Sequence, residues 1–203
     1  MENNTSSPVN TNVPIKKSKW KENFNDLWDL IKFAIIALII VVPIRLFIAQ
    51  PFVVSGESMV PTFHNSEYLI VDEISYILGQ PKRGEVVVFR YPEDIKRFFI
   101  KRVIGLPNEK IIVTNKDVTI INKQFPKGFK LTENYVNENL FVQTGEFETG
   151  DNEYFVMGDN RNRSSDSRTW GILPRNLMIG KAFLRLLPLK EISYLPGEYK
   201  ENK

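Results

Sequence analysis

The feature that most constrains this chain is a long apolar run near its N-terminus. Within residues 27–49, every residue from Phe33 onward is plainly apolar except Pro43 and Arg45. Together with the apolar residues in front of it, this run is long enough to cross the roughly 30 Å hydrocarbon core of a bilayer as one helix. We therefore predict a transmembrane anchor over residues 27–49.

The residues that flank the run predict its orientation. Four lysines at positions 16, 17, 19 and 21 precede it, and basic residues mark the cytoplasmic side of a membrane helix. We expect residues 1–26 to form a cytoplasmic basic tail and the chain after Gln50 to lie outside. Two other interpretations stay open. One is a buried soluble helix, although the run is apolar all round. The other is a cleaved signal peptide, although Phe47 stands where cleavage prefers a small residue.

After Gln50 the sequence changes to a β-strand rhythm. Short β-branched and aromatic runs, such as Glu85–Tyr91 and Phe98–Ile104, alternate with turns rich in Gly, Pro and Asn. We predict a mostly β fold, in which a single transmembrane helix is followed by an extracytoplasmic β-rich domain. The predicted parts are a β core at 50–113 and 153–190, a smaller and more polar insertion at 114–152, and a C-terminal tail at 191–203.

The composition excludes several kinds of site. The chain has no cysteine and one histidine, His64, which excludes disulfides, cysteine nucleophiles and zinc sites with several histidines. A Ser-His-Asp triad could use only His64, which has no evident carboxylate partner, so we interpret it as a surface or loop residue. A formal net charge of +3 is too small to indicate nucleic-acid binding. We expect no metal, no cofactor and no nucleic-acid partner.

Three segments carry more reactive side chains than folding requires, and the first is 55–62. Ser58 follows a glycine-containing turn and precedes Pro61, a setting that exposes a hydroxyl and a backbone N–H together. A serine nucleophile needs both, one to attack and one to stabilise the oxyanion. An ordinary turn serine is the alternative, and Val60 stands where the G-x-S-x-G elbow requires glycine.

The second segment, 97–107, places a lysine in an apolar strand. Because side chains alternate along a strand, Phe99, Lys101 and Val103 share one face. Desolvation between apolar neighbours disfavours the ammonium and lowers its pKa. A base active near pH 7 needs a fall of about three units from roughly 10.4. The alternative is a solvated strand lysine with an ordinary pKa.

The third segment, 158–171, follows an apolar strand and contains two Asp, three Arg, three Ser and two Asn. A loop of this composition can hold itself by charge-assisted and backbone-directed hydrogen bonds. Asp166 and Arg168 are spaced to form an ion pair within it. A well-ordered loop without a chemical role is the alternative.

Taken together, the anchor and the three segments resemble the bacterial type I signal peptidases, the Ser/Lys endopeptidases of the membrane. The likeness extends to about Pro188, and the short stretch 114–152 resembles the Gram-positive form, which has a smaller second lobe. No single block is specific for the family, but the occurrence of all of them in this order behind one N-terminal anchor is specific. The matching blocks are 51–54, 58–62, 84–89, 101–107 and 158–171.

The resemblance implies a role for each matching residue. Ser58 would be the nucleophile, and its backbone N–H would be one oxyanion donor. Lys101 would be the general base, and Ser164 would orient it through its hydroxyl. Asp166 and Arg168 would form a structural pair that holds the loop near the site.

Two positions beside these residues complete the comparison. Some relatives carry a serine two positions before the nucleophile, whose hydroxyl is a second oxyanion donor. Gly56 stands there in this chain, so the second donor would be water or a backbone group. Arg102 matches a structural position next to the base.

The resemblance also implies the substrate and the location. The β-rich catalytic domain would cleave secretory preproteins after small residues, usually Ala at the first and third positions before the bond. Pro51–Val54 would pair with the extended substrate, and Phe52, Val54 and Val156 would line its pockets. Ser58 follows Gln50 by eight residues, a reach of at most about 29 Å. The enzyme would therefore work at the lipid surface, on the outer side of a bacterial cell membrane.

Three other possibilities remain. A self-cleaving repressor is a Ser/Lys hydrolase of related fold, but it carries a DNA-binding domain where this chain has an apolar run. A non-catalytic, membrane-anchored binding protein would not need Ser58, Lys101 and Ser164 intact. An organellar inner-membrane relative would differ in location more than in chemistry.

Overall fold

The structure is a computed structural model that describes residues 19–43, 49–136 and 143–199. The chain divides into two compact units between Val42 and Pro43. The first unit contains one long helix, α1 (Lys19–Pro43). The second contains every described strand.

Helix α1 covers only part of the predicted anchor. Its charge-free stretch runs from Phe33 to Pro43, whereas a helix needs about 20 mostly apolar residues to cross a bilayer. No helix among the described residues is both long enough and apolar enough to span a membrane. The anchor predicted at 27–49 is therefore not found in this part of the chain. Positions 44–48 of that prediction, and residues 1–18 of the predicted tail, lie outside the described residues.

The second unit is mostly β, which confirms the β-rich part of the predicted fold class. Its strands form two antiparallel sheets, and among the described residues two short α-helices and three 3-10 turns accompany them. The strands are β1 (Ala49–Val53), β2 (Tyr68–Asp72), β3 (Val86–Tyr91), β4 (Asp94–Gly105), β5 (Lys110–Val113), β6 (Val118–Ile121), β7 (Phe129–Lys130), β8 (Gly145–Glu148), β9 (Glu153–Met157), β10 (Leu173–Pro174), β11 (Met178–Leu187) and β12 (Ser193–Tyr194); the helices are α2 (Ile74–Leu78) and α3 (Ser167–Trp170).

The strand order places β1 at an edge and β4 inside the larger sheet. The larger sheet runs β1-β2-β11-β3-β4-β9-β10, with β12 beside β11, and the smaller one runs β7-β6-β5-β8. Among the described strands β1 pairs with β2 alone, so the other edge of β1 is free. Strand β4 lies between β3 and β9, which holds it firmly from both sides.

A shared core joins the two sheets. Ile111 of β5 stands opposite Ile120 of β6, and both are fully buried. These residues pack against Ile104 of β4 and Phe155 of β9. The smaller sheet, from Lys110 to Glu148, is therefore anchored to the strand that carries the candidate base.

Within the C-terminal tail predicted at 191–203, the residues that the structure describes make contacts with the β core. Strand β12 pairs with β11, and the Gly197 carbonyl beyond it accepts a hydrogen bond of 2.5 Å from Arg102 Nη1. Gly197 has a φ of +76°, and a methyl group added to it would lie 2.6 Å from Thr62 Cγ2. The segment thus packs against β4 and against the loop that carries Ser58. Residues 200–203 lie outside the described residues.

Replacing Gly197 with alanine tests this packing. Left-handed backbone strain of about 1–2 kcal/mol adds to the contact with Thr62, so we expect the free energy of unfolding to fall by about 2–4 kcal/mol. Gly56→Ala is the control, because Gly56 also has a positive φ, +95°, but nothing within 4 Å of an added Cβ. Urea denaturation measures both losses, and equal losses would contradict the packed C-terminal segment.

Candidate active site

Ser58 lies in the loop between β1 and β2. Two backbone hydrogen bonds close the base of this loop, from Val54 N to Glu67 O and from Ser66 N to Val54 O, each 2.9 Å long. The neighbouring Met59 is 1% exposed and packs into the core. Ser58 itself is half-buried, so a firmly held loop presents its hydroxyl at the surface.

Lys101 approaches Ser58 from the larger sheet. In β4 it stands opposite Val87 of β3, and only 4% of it is exposed. Its Nζ lies 2.7 Å from Ser58 Oγ and 2.9 Å from the Ile100 carbonyl oxygen. The Phe99 ring centre is 5.2 Å from the same nitrogen. The two residues singled out as nucleophile and base are therefore in hydrogen-bond contact.

Burial lowers the pKa of Lys101 from its usual range to about 8. Removal of water from the ammonium is the largest cause, and the charges of Asp166 and Asp159 partly oppose it. Each of these carboxylates already forms an ion pair with an arginine. A lysine with this pKa is neutral in about one molecule in ten at pH 7, and its lone pair can then accept a proton.

Ser164 lies beside the pair but is not hydrogen-bonded to the lysine. Its Oγ is buried and has no hydrogen-bond partner among the described residues, since the Lys101 contacts go to Ser58 and Ile100. A side chain on Gly158 would collide with Ser164 Oγ and with the Ser58 carbonyl oxygen. The Ser164 side chain and the Ser58 carbonyl group therefore both lie close to Gly158. The orienting hydrogen bond to Lys101 is absent here, and that role stays a prediction.

The Asp166–Arg168 ion pair expected from the sequence is present. Arg168 donates from Nε to Asp166 Oδ1 and from Nη2 to Oδ2, each at 2.8 Å, and both side chains are almost fully buried. Asp166 Oδ2 also accepts the Gly158 N–H at 3.0 Å. The pair therefore connects the start of α3 to Gly158, which lies close to both serines.

Two further buried ion pairs hold the same loop, and the sequence did not single them out. Arg102 donates from Nε and Nη2 to the two oxygens of Asp159, at 2.8 and 2.6 Å. Arg161 binds Glu133 at 2.9 and 2.5 Å. Asp159 and Arg161 lie in the charged third segment, where a signal was available. Glu133 lies in the polar stretch before residues 137–142, and nothing local marks it.

A cavity of about 490 Å³ opens beside Ser58 and Lys101. It lies between β1 with the loop after it and the facing part of β4, and Phe52 and Val54 line it. Their role in binding the substrate stays a prediction. Val156 does not line it, which corrects the third predicted pocket residue. Its side chain is 0% exposed and packs in the core, because every residue of β9 from Tyr154 onward is buried.

The other two positions weighed from the sequence lie outside the dyad. Gly56 has a φ of +95° and nothing within 4 Å of an added Cβ, so the space beside it is open. The His64 side chain is 58% exposed, and its Nδ1 lies 3.5 Å from Glu67 Oε1. Within the described part of the chain, no group of three or more His, Asp or Glu side chains is placed to hold a metal ion.

Known proteins are similar to this chain over most of its length. The family described as signal peptidase, peptidase S26, matches residues 27–187. Probable signal peptidase I-2 of Synechocystis sp. (strain ATCC 27184 / PCC 6803 / Kazusa) is 36% identical over 194 residues, which cover 92% of this chain and 86% of that protein. Signal peptidase I of Leptolyngbya laminosa is 37% identical over 176 residues, 83% of this chain and 84% of that protein.

A Bacillus relative matches over a similar length. Signal peptidase I P of Bacillus subtilis subsp. natto is 37% identical over 182 residues, which cover 87% of this chain and 97% of that protein. The family predicted from the motifs, and the enzyme class that it implies, are confirmed. The chain belongs to the signal peptidase family, peptidase S26.

Proposed function

We propose that this chain is a membrane-bound serine endopeptidase that removes N-terminal signal peptides from secretory preproteins, cleaving after small residues. The proposal rests on the 2.7 Å contact between Lys101 Nζ and Ser58 Oγ. A nucleophile and a base in hydrogen-bond reach beside a cavity are the groups that covalent peptide hydrolysis needs. The names of the relatives, all signal peptidases, indicate the substrate class, a preprotein that carries a signal peptide. A site of the Ala-x-Ala type is what the family resemblance implies.

Lys101 moves the protons and Ser58 carries the acyl group. Neutral Lys101 takes the Ser58 hydroxyl proton while Oγ attacks the carbonyl carbon of the scissile bond, and the Ser58 N–H stabilises the oxyanion that forms. Protonated Lys101 then gives its proton to the leaving amine, so the mature protein departs and an ester remains on Ser58. A water molecule, deprotonated by Lys101, hydrolyses that ester and releases the signal peptide.

Ser164 supports Lys101 in its protonated state. An ammonium group has three N–H donors, and two acceptors already lie near Nζ, the Ser58 hydroxyl and a strand carbonyl. In this proposal the unpartnered Ser164 Oγ supplies the third acceptor. The Asp166–Arg168 pair keeps Ser164 in position by fixing the turn that follows it.

The free edge of β1 binds the substrate. Because β1 pairs with β2 alone among the described strands, its outer N–H and C=O groups are available to an extended peptide. Phe52 and Val54 lie on this strand and just after it, and both line the cavity. Bulky apolar walls beside the dyad leave room for small side chains, which fits cleavage after alanine.

An exposed apolar surface near Ser58 supports a location at lipid. Val53 of β1 stands opposite Tyr68 of β2, which stands opposite Leu187 of β11, and all three are exposed. Leu189 and Ile192 extend this surface, at 73% and 56% exposure. Contiguous apolar surfaces of this kind mark membrane or protein contacts. We propose a single-pass protein of the bacterial cell membrane, with a cytoplasmic N-terminus and the catalytic unit outside.

Cleavage of a purified preprotein with an Ala-x-Ala site tests the dyad. We expect the wild type to cut at that bond, and Ser58→Ala and Lys101→Ala to lose about a thousandfold or more. Lys101→Arg should be equally inactive, because a guanidinium stays charged and cannot act as the base. His64→Ala is the control and should stay within about twofold of wild type. Cleavage by both dyad variants would refute the assignment, and a folded but inert wild type would favour a binding role.

The pH dependence of cleavage tests the state of the base. Since the pKa of Lys101 is lowered to about 8, kcat/KM should rise about tenfold per pH unit below that value and level off above it. The rise follows the neutral lysine, because the ammonium cannot accept a proton. A fluorogenic peptide assayed from about pH 6 to pH 10 measures the midpoint. A midpoint well below that value would contradict Lys101 as the base.

Membrane fractionation tests the location. We expect the full chain to sediment with membranes, to resist alkaline carbonate extraction, and to dissolve in detergent, because an apolar helix holds it in the bilayer. Protease added to intact spheroplasts should digest the catalytic unit but not the N-terminal tail. A chain lacking residues 27–49 is the matched variant and should be released by carbonate. Release of the full chain by carbonate would contradict the anchor.

A further inference from the structure

Asn160 contacts the nucleophile loop through two donors at once. It follows Gly158 and Asp159 after β9, and its backbone N–H donates to the Ser58 carbonyl oxygen at 3.0 Å. Its side-chain Nδ2 donates to the Glu57 carbonyl oxygen at 3.1 Å. These are consecutive carbonyl groups of the chain, one on each side of the nucleophile. A single residue therefore holds both peptide units that Ser58 belongs to.

The contact with Glu57 fixes the direction of the Ser58 N–H. The Glu57 carbonyl and the Ser58 N–H belong to one peptide unit, which is not among the cis bonds of the described chain. In a planar trans peptide these two groups point in opposite directions. Holding the Glu57 oxygen toward Asn160 therefore turns the Ser58 N–H away from it. Within the described residues that N–H donates to no other group, and Glu57 and Ser58 both line the cavity.

Apart from Asn160, the Glu57–Ser58 peptide unit is held among the described residues by a turn, in which the Glu57 carbonyl accepts the Val60 N–H at 3.2 Å. Gly56 precedes it with a φ of +95° and open space around it, and glycine allows backbone rotations that other residues resist. The Glu57 side chain has only an exposed ion pair with Arg163, and exposed pairs contribute little. Asn160 is the well-anchored group, because the preceding Asp159 is locked by the buried Arg102.

We propose that Asn160 is a positioning residue that sets the direction of the Ser58 N–H toward the oxyanion. This inference rests on the proposed function, in which that N–H stabilises the tetrahedral intermediate. Asn160 does not touch the substrate. It acts through the Glu57–Ser58 peptide unit, which it holds by the carbonyl end so that the N–H end faces the cavity.

Asn160→Asp and Asn160→Ala are the test variants. Aspartate has nearly the same shape but no side-chain donor, and both variants keep the backbone N–H. We expect kcat on a preprotein to fall about a hundredfold, as when an oxyanion donor is lost. KM should stay within about threefold, because ground-state contacts are unchanged. For Asn160→Ala the pH midpoint should not move, because Asn160 has no contact with Lys101 among its hydrogen bonds. Asn160→Asp adds a carboxylate near the site, so the pH profile is compared for the alanine variant alone.

Asn65→Ala is the matched control. Asn65 also holds this loop, since its Oδ1 accepts the Gly56 N–H at 3.0 Å, but it does not bind the Glu57–Ser58 peptide unit. A residue that only anchors the loop would lose the same activity at either position. We expect Asn65→Ala to lose no more than about threefold in kcat at a comparable melting temperature. Equal losses at both positions, or a loss at Asn160 that follows the melting temperature, would overturn the proposal.

A crystal structure of Asn160→Asp gives a readout that does not depend on activity. We expect the Glu57–Ser58 peptide unit to be rotated, with the Ser58 N–H turned from the cavity and the Ser58–Lys101 contact kept. An unrotated peptide would overturn the inference even if the wild type cleaves preproteins. If the wild type cleaves none, the proposed function fails by itself, and the crystal structure still decides whether Asn160 sets this peptide.

Discussion

The buried guanidinium of Arg102 is the interaction on which the catalytic unit depends. It is 1% exposed, and it binds Asp159 through two N–H groups and the carbonyls of Gly84 and Gly197 through Nη1. A buried charge that loses its partners destabilises a protein by several kcal/mol, about 3–5 in measured cases. These distant segments must therefore meet for the chain to fold. Since Arg102 directly follows Lys101 in β4, the same bonds fix the backbone that carries the base.

The arginines of the site also decide the charge of the lysine. Either Asp159 or Asp166 would hold Lys101 protonated if it paired with it. Instead Arg102 binds Asp159 and Arg168 binds Asp166, and each buried pair is neutral as a whole. Burial then dominates and lowers the pKa of Lys101 to about 8. The basicity of the site thus depends on ion pairs that do not touch the scissile bond.

Local signals in the sequence could predict the strands and the two reactive side chains, whereas long-range contacts could not be predicted. Ser58 and Lys101 each stand out within a few neighbours, but their contact joins residues 43 apart and needed the family resemblance. Glu133 binds Arg161 across 28 positions, and no local pattern marks such a partner. Val156 was assigned to the pocket from its motif position, yet it packs in the core, because both faces of β9 are buried.

Burying Lys101 links catalysis to stability. Its pKa is about 8 in the folded protein and about 10.4 in the unfolded chain, so between these values the unfolded chain binds more protons. Stability therefore rises with pH through this window, and below it the penalty of the buried ammonium is fully present. Attack by Ser58 requires the neutral lysine, which is also the form that burial favours. The desolvation of Lys101 thus lowers its pKa enough for it to act as the base. It also makes the protein both more active and more stable at mildly alkaline pH.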